Sequence, residues 1–152
     1  MSAVEDRLAE LGLTVPEVVP PVAAYIPAVR SGNLVFSSGQ IPMRGGSPVA
    51  VGKVGAPDGP SAELATEAAQ QCALNAIAAV MALIGDLDQV KQVVKAVVFV
   101  ASDPSFTGQP AVANGASELL ATAFDGPHAR SAVGVAALPL DVSVEVEIIV
   151  EL

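Results

Sequence analysis

The chain has little of what most cofactor and nucleic-acid sites are built from. It contains one cysteine, one histidine, one tyrosine and no tryptophan, and aromatics make up 3% of its 152 residues. Cys72 and His128 alone cannot complete a four-ligand zinc site, and Cys72 has no intrachain disulfide partner. No CxxC, HExxH or GxSxG is present, nor a glycine-rich phosphate loop of either standard spacing. Basic residues are scarce, 7 against 16 acidic, for a net charge of −9. That balance disfavours a phosphate-backbone binder, and so few aromatics offer no row of base-stacking platforms. Charged residues of both signs amount to 15%, below the roughly 25% of an average domain.

What is abundant is small and apolar. Hydrophobic residues make up 52% of the chain, mostly Ala and Val, and the mean hydropathy is +0.58. This is too apolar for disorder, and the length suits a single domain, 1–152, with a core that needs no disulfide. So few charges leave apolar surface over, which points to a homo-oligomer. The longest nearly uncharged helical stretch, Gln70 to Ile84, contains Gln70, Gln71 and Asn75. It falls short of the roughly 20 apolar residues of a bilayer crossing. The N-terminal MSAVEDRLAELGL is charged and amphipathic, unlike a secretory signal. No membrane association and a cytoplasmic location are expected.

Patterning predicts a short helix over Val4 to Leu11, with Leu8 and Leu11 on one face, as an N-terminal extension. Pro16, Pro20 and Pro21 keep the chain extended and irregular up to Ala24. Tyr25–Val29 and Asn33–Ser38 read as strands around a Ser31-Gly32 turn. The Gly/Pro-rich stretch 43–60 reads as a loop with one short strand near Val49–Val51. Ser61 is a helix N-cap, and Gly85 ends the helix. Leu64, Ala68, Cys72, Ala76, Ala79, Val80 and Leu83 recur at three- and four-residue steps as its inner face. Val93–Val100 is a β-branched run that suits a strand buried on both faces. A second helix runs from Pro110 to Phe124, with Val112, Ala116, Leu119, Leu120 and Ala123 inward. Ser131–Ala136 and Val142–Val150 complete a β-β-α-β-α-β-β order: an α+β fold with two main helices packed on one face of a mixed sheet.

Any chemistry must run on arginine, carboxylates, hydroxyls and backbone groups. Arg130, one of four arginines, leads into an apolar strand. Its guanidinium stays charged, so it needs an anionic partner. That partner is either an acidic side chain of the same fold, the commoner arrangement, or a carboxylate ligand gripped by its fork. Glu145 and Glu147 project from one face of the last strand, about 7 Å apart by strand geometry. On a solvated face they mean nothing; against a neighbouring subunit, a carboxylate there could position a water or carry a proton. Tyr25 is a core or rim aromatic unless a ligand meets it. Cys72 reads as a small buried hydrophobe, and Glu5, Asp6 and Glu10 as a solvated helix face.

Three blocks resemble the RidA, or YjgF-type, family: SGNLVFSSGQIP (Ser31 to Pro42), VKAVVFVASDPSF (Val94 to Phe106) and HARSAVGVAALPLDVSVEVE (His128 to Glu147). The likeness runs from Tyr25 to Glu151 in order and spacing. It implies a chorismate-mutase-like α+β fold assembled as a homotrimer with clefts between subunits. It also implies hydrolysis of imino or enamino acids such as 2-aminoacrylate to keto acids and ammonia, without cofactor or metal. By motif, Arg130 would clamp the substrate carboxylate and Glu145 would hold the attacking water. Tyr25, Ser38, Gly39 and Asn114 fall where family members line the cleft. The chain departs from the deaminase branch at Ala132 (often Cys or Ser), Gly134 (commonly Glu) and Ala137 (commonly Arg), and Ile26-Pro27 replaces a small polar pair. Such a divergent branch also fits a non-catalytic metabolite sensor; the endoribonuclease label that some members carry fits the acidic composition poorly.

Overall fold

In the computed structural model the chain runs α1 (Ala3–Glu10), β1 (Ala28–Ser31), β2 (Leu34–Ser37), β3 (Met43–Arg44), β4 (Ser47–Pro48), α2 (Ala62–Ile84), β5 (Gln92–Ala101), α3 (Gln109–Phe124), β6 (Ala129–Val135) and β7 (Val144–Glu151). Single 3-10 turns lie at Leu87–Gln89 and Pro139–Asp141. The structure describes residues 1–18, 20–21 and 23–152. The expected irregular stretch up to Ala24 carries neither helix nor strand at its described residues, and Val19 and Val22 lie outside them.

Helix ends follow local chemistry. Ser2 and Glu5 form a reciprocal capping box on α1. The Ser61 hydroxyl accepts the Leu64 N–H at 3.1 Å to start α2. Gly85 then stops it at φ +82°, a left-handed conformation that glycine adopts freely. Leu11 was expected beside Leu8; instead it follows the last turn of α1 and is exposed. Leu64 and Leu83 also leave the expected inner face of α2. They lie in its first and last turns, beyond the layer that buries Ala65 to Val80.

Five strands form one sheet in the order β1-β2-β7-β5-β6. Every neighbouring pair is antiparallel except β5 and β6, which are parallel and joined through α3. As expected, α2 and α3 pack on one face. Beneath them Val144, Val146, Ile148 and Val150 of β7 and Ala96, Val98 and Val100 of β5 are buried. Among the described residues the other face carries no helix: Val97, Phe99 and Ile149 are half-buried there, and Phe36 and Val133 are exposed. The expectation that Val93–Val100 is buried on both faces is therefore corrected for the single chain. Its β-branched residues cover the core on one side only and leave an apolar sheet face on the other.

Small residues let the two main helices approach closely. A Cβ at Gly115 of α3 would overlap the Thr66 carbonyl of α2. At 23 residues α2 exceeds the Gln70–Ile84 stretch and is long and apolar enough to cross a membrane, so length alone does not exclude that reading. Two-thirds of its most apolar window (67%) lies inside the fold, as in a core helix.

Two other boundaries shift. The first strand begins at Ala28, not Tyr25, because Pro27 has no N–H to offer a ladder. No strand forms at Val49–Val51; Val51 makes a single bridge to Val142, and the nearby hairpin is β3–β4, turned by Gly45 and Gly46 at φ +59° and +84°. The rest of that loop is pinned across the end of the sheet. Val54 N–H donates to Ala101 at 2.9 Å, and the Ser143 hydroxyl donates to the Gly52 carbonyl at 2.7 Å.

Candidate functional site

The register between β2 and β7 slips once, and the slip builds a site. Phe36 pairs with Ile149, and Gln40 bridges Val146, so residues 37–39 oppose only 147–148. One extra residue makes this a bulge. The Ser37 hydroxyl fills the gap by accepting the Ile148 N–H at 2.9 Å. The bulge swings Gly39 over Glu145. A Cβ at Gly39 would overlap Glu145 Oε1 and lie 2.8 Å from its Cδ, so the carboxylate occupies the space that any other residue would fill.

Ser38 ties down the segment before β1. Its hydroxyl donates to the Ile26 carbonyl at 2.6 Å, and its N–H donates to Pro27 at 2.8 Å. Tyr25, just before that segment, lines the same cavity as Gly39. From the far side Asn75 of α2 donates to the Ile41 and Met43 carbonyls at 2.9 and 3.1 Å, and Gln71 in turn donates to Asn75 at 3.0 Å. Between these supports lies a cavity of about 340 Å³ that Tyr25, Pro27, Gly39, Ile41, Pro139, Leu140 and Glu145 help to line.

Glu145 is the acid in that cavity, half-buried, and no described residue donates a hydrogen bond to its carboxylate. Burial pushes its pKa above the ordinary glutamate value, and the Glu147 charge adds to the shift. A carboxyl so placed can take a proton and return it near neutral pH more readily than a solvated one.

Arg130 lies elsewhere. It is on β6, at the sheet edge two strands from β7, and it reaches toward the helices. Its NH1 donates to Asn114 Oδ1 at 2.8 Å and to Ser117 Oγ at 3.3 Å, both on α3. Those two contacts occupy both NH1 hydrogens. The Nε–NH2 edge has no partner among the described residues, and it is the fork that matches a carboxylate. The expected anionic partner within the fold is therefore missing: the ion pair found among the described residues is Arg44–Glu67 at 2.7 Å. His128 completes the cluster, its Nε2 lying 2.9 Å from Ser117 Oγ. Its Nδ1 is buried without a partner among the described residues. Burial, and then the Arg130 charge, hold its pKa below the ordinary histidine value, so the ring is neutral at pH 7.

Within one chain, then, Tyr25, Ser38, Gly39 and Glu145 come together, and so do Arg130 and Asn114. The two groups are on opposite faces of the sheet. Sequence reasoning missed Ile41, Pro139 and Leu140 in the cavity and Ser117 and His128 beside Arg130. The first three stand inside the blocks that carry the resemblance, but nothing there marks them as cavity lining. His128 next to an arginine block was a usable signal, but its partner is eleven residues away on a helix. Among the described residues no cluster of His, Cys, Asp or Glu could hold a metal ion.

Residues 16–152 match the family described as Endoribonuclease L-PSP. Protein TCP17 of Trypanosoma cruzi is 44% identical over 98% of this chain and 94% of its own length. Among solved structures, the Agrobacterium tumefaciens protein Atu1372, of unknown function, is 46% identical with a TM-score of 0.90, covering 99% of this chain and 92% of that one. The YjgF gene product of E. coli is 28% identical with a TM-score of 0.63, covering 89% and 93%. E. coli TdcF, solved with bound serine, is 26% identical with a TM-score of 0.61, covering 91% and 93%.

Proposed function

The chain belongs to the Endoribonuclease L-PSP family, that of the RidA or YjgF-type proteins, and from that premise we propose that it hydrolyses imino and enamino acids at sites that two copies of the chain complete. The observation that carries this reading is the Glu145 carboxylate, half-buried in a cavity, without a hydrogen-bond donor among the described residues and with its pKa raised. It has the properties of a group that holds a water and moves a proton. A substrate carboxylate would be gripped by the open edge of Arg130 from a second copy, with Asn114 and Ser117 fixing the guanidinium plane.

The step needs little more. Water adds to the imine carbon, forming a C–O bond, and Glu145 takes a proton from it. Glu145 passes that proton to nitrogen, giving a carbinolamine, then takes the hydroxyl proton and hands it to the same nitrogen as the C–N bond breaks, so that ammonia leaves a 2-oxo acid. An enamino acid first tautomerises to the imine by protonation at carbon. The imine carbon is already electrophilic, so orientation and a proton carrier supply much of the acceleration.

The serine bound to TdcF supports a ligand of amino-acid size. The bare apolar face of the sheet and the low charge support a closed homotrimer as the assembly that brings the two half-sites together. The family description names an endoribonuclease, but 7 basic residues and a largely apolar cavity favour a small metabolite over RNA.

The test uses imines generated by an amino-acid oxidase and trapped as absorbing semicarbazones. The protein should lower the trapping rate by removing the imine, and Glu145→Gln and Arg130→Ala should each lose that effect. No acceleration of imine loss over buffer for any imine would reject hydrolysis.

A further inference from the structure

Ser117 behaves unlike most serines in the middle of a helix. Such a hydroxyl ordinarily turns back and bonds the carbonyl four residues earlier, as Thr66 of α2 does to Ala62 at 2.8 Å. The Ser117 hydroxyl leaves α3 instead. It meets His128 Nε2 at 2.9 Å, while Arg130 NH1 donates to the same oxygen at 3.3 Å. Among the described residues its hydrogen has no other acceptor, so Nε2 takes it and the neutral imidazole carries its own hydrogen on Nδ1. Arg130 NH1, Ser117 Oγ and His128 Nε2 then form one directed chain, each donating to the next.

The arrangement is unfavourable for His128 itself. Its Nδ1 is buried with no acceptor among the described residues, a state that folded proteins rarely keep. Arg130 gains from it. Accepting the Ser117 hydrogen turns that hydrogen away from Arg130 and leaves an oxygen lone pair facing NH1. Asn114 Oδ1 holds the other NH1 hydrogen at 2.8 Å, so the guanidinium plane has two fixed points. A single point would leave the plane free to turn about one bond. A two-oxygen grip on a carboxylate needs the plane held, because both N–H···O bonds must be straight at once.

We propose that His128 is a positioning residue for the carboxylate clamp: through Ser117 it fixes the plane in which Arg130 presents its open edge. It touches no substrate atom. The kinetic arm of the test rests on the hydrolytic reading given above. A clamp on the carboxylate holds ground state and transition state alike, so its loosening raises KM and leaves kcat standing. His128→Leu fills the space without accepting a hydrogen bond. It should raise KM for the alanine imine about tenfold, the worth of one hydrogen bond to a charged group, with kcat within about twofold. Ser117→Ala should match it, and the double variant should lose no more than either alone. His128→Gln offers a side-chain oxygen to the Ser117 hydrogen and should keep KM within about threefold of wild type.

An unchanged KM in His128→Leu, a fall in kcat in place of the rise in KM, additive losses, or a His128→Gln as impaired as His128→Leu would each overturn the role. Failure of wild type to turn over any imine would reject hydrolysis and leave the clamp to be judged by binding. Calorimetric titration with pyruvate at pH 7 then decides: His128→Leu and Ser117→Ala must each weaken binding about tenfold, and Arg130→Ala more than either. Equal affinity in wild type and His128→Leu, or no binding of pyruvate to wild type, overturns the proposal.

Discussion

Because Arg130 and Glu145 leave opposite faces of one sheet, two inactive variants should rescue each other. Arg130→Ala keeps every Glu145 and Glu145→Gln keeps every Arg130. Suppose each site in a closed ring takes its glutamate from one copy and its arginine from the next. When the two variants are co-expressed, or unfolded together and refolded at equal amounts, half the copies offer an intact glutamate and half an intact arginine. About a quarter of the sites then carry both. Imine hydrolysis should recover to about a quarter of wild type, from variants that alone fall about a hundredfold or more on loss of a proton carrier or a carboxylate clamp. Mixing the two after assembly, without exchange of copies, should recover nothing. If the refolded mixture shows only the average of the two variants, the site is not shared and the proposed arrangement is wrong.

Gly39→Ala forces Glu145 Oε1 back by about 1.5 Å to reach ordinary carbon–oxygen contact. A displacement of that size should cost about 10²-fold in turnover, and adding Glu145→Gln should cost little more; additive losses would separate the two residues. Gly115→Ala gains about 1 kcal/mol in helix propensity but drives a methyl into the Thr66 carbonyl. With overpacking at about 1–3 kcal/mol or more, urea unfolding should show a net loss of about 1–2 kcal/mol, and a stabilised variant would refute the close helix contact. His128 has a lowered pKa in the fold, so its contribution to stability is complete above the ordinary value of 6.5 and is lost as pH falls below it. Wild type should lose Tm from pH 7 to 5 more steeply than His128→Gln; parallel curves would count against this. Glu145 has the opposite sign: its raised pKa contributes stability at low pH that disappears as pH rises. Glu145→Gln should therefore be the more stable protein at pH 7, with the gap closing below the ordinary value of 4.5.

The elements with strong local signals were readable from sequence. Ser61 and Gly85 bound α2 as their chemistry dictates, and the alternation from Val144 to Val150 set which face of β7 is buried. Periodicity did less well at helix ends, where Leu64 and Leu83 keep the spacing but run past the layer they should cover. The site was legible only in pieces. Arg130, Glu145 and Gly39 stand in recognisable blocks, yet nothing in those blocks says that the sheet separates arginine from glutamate. The bulge at 37–39 and the positive φ of Leu140 arise from how β7 and the 49–54 loop meet distant strands. Such features are tertiary, and a window of neighbouring residues does not contain them.

The position of β7 has a consequence for how the molecule must be made. It follows all the other strands in the chain, yet it lies at the middle of the sheet between β2 and β5, pairing Leu34 with Glu151 on one side and Val100 with Val144 on the other. Until it arrives, β1–β2 and β5–β6 are two separate ribbons, each with a raw edge exposed to any passing strand. Closing the sheet is therefore a late, long-range event, slow by the loop entropy it must overcome. In the growing chain the strand that carries Glu145 is therefore the one on which closure of this sheet waits.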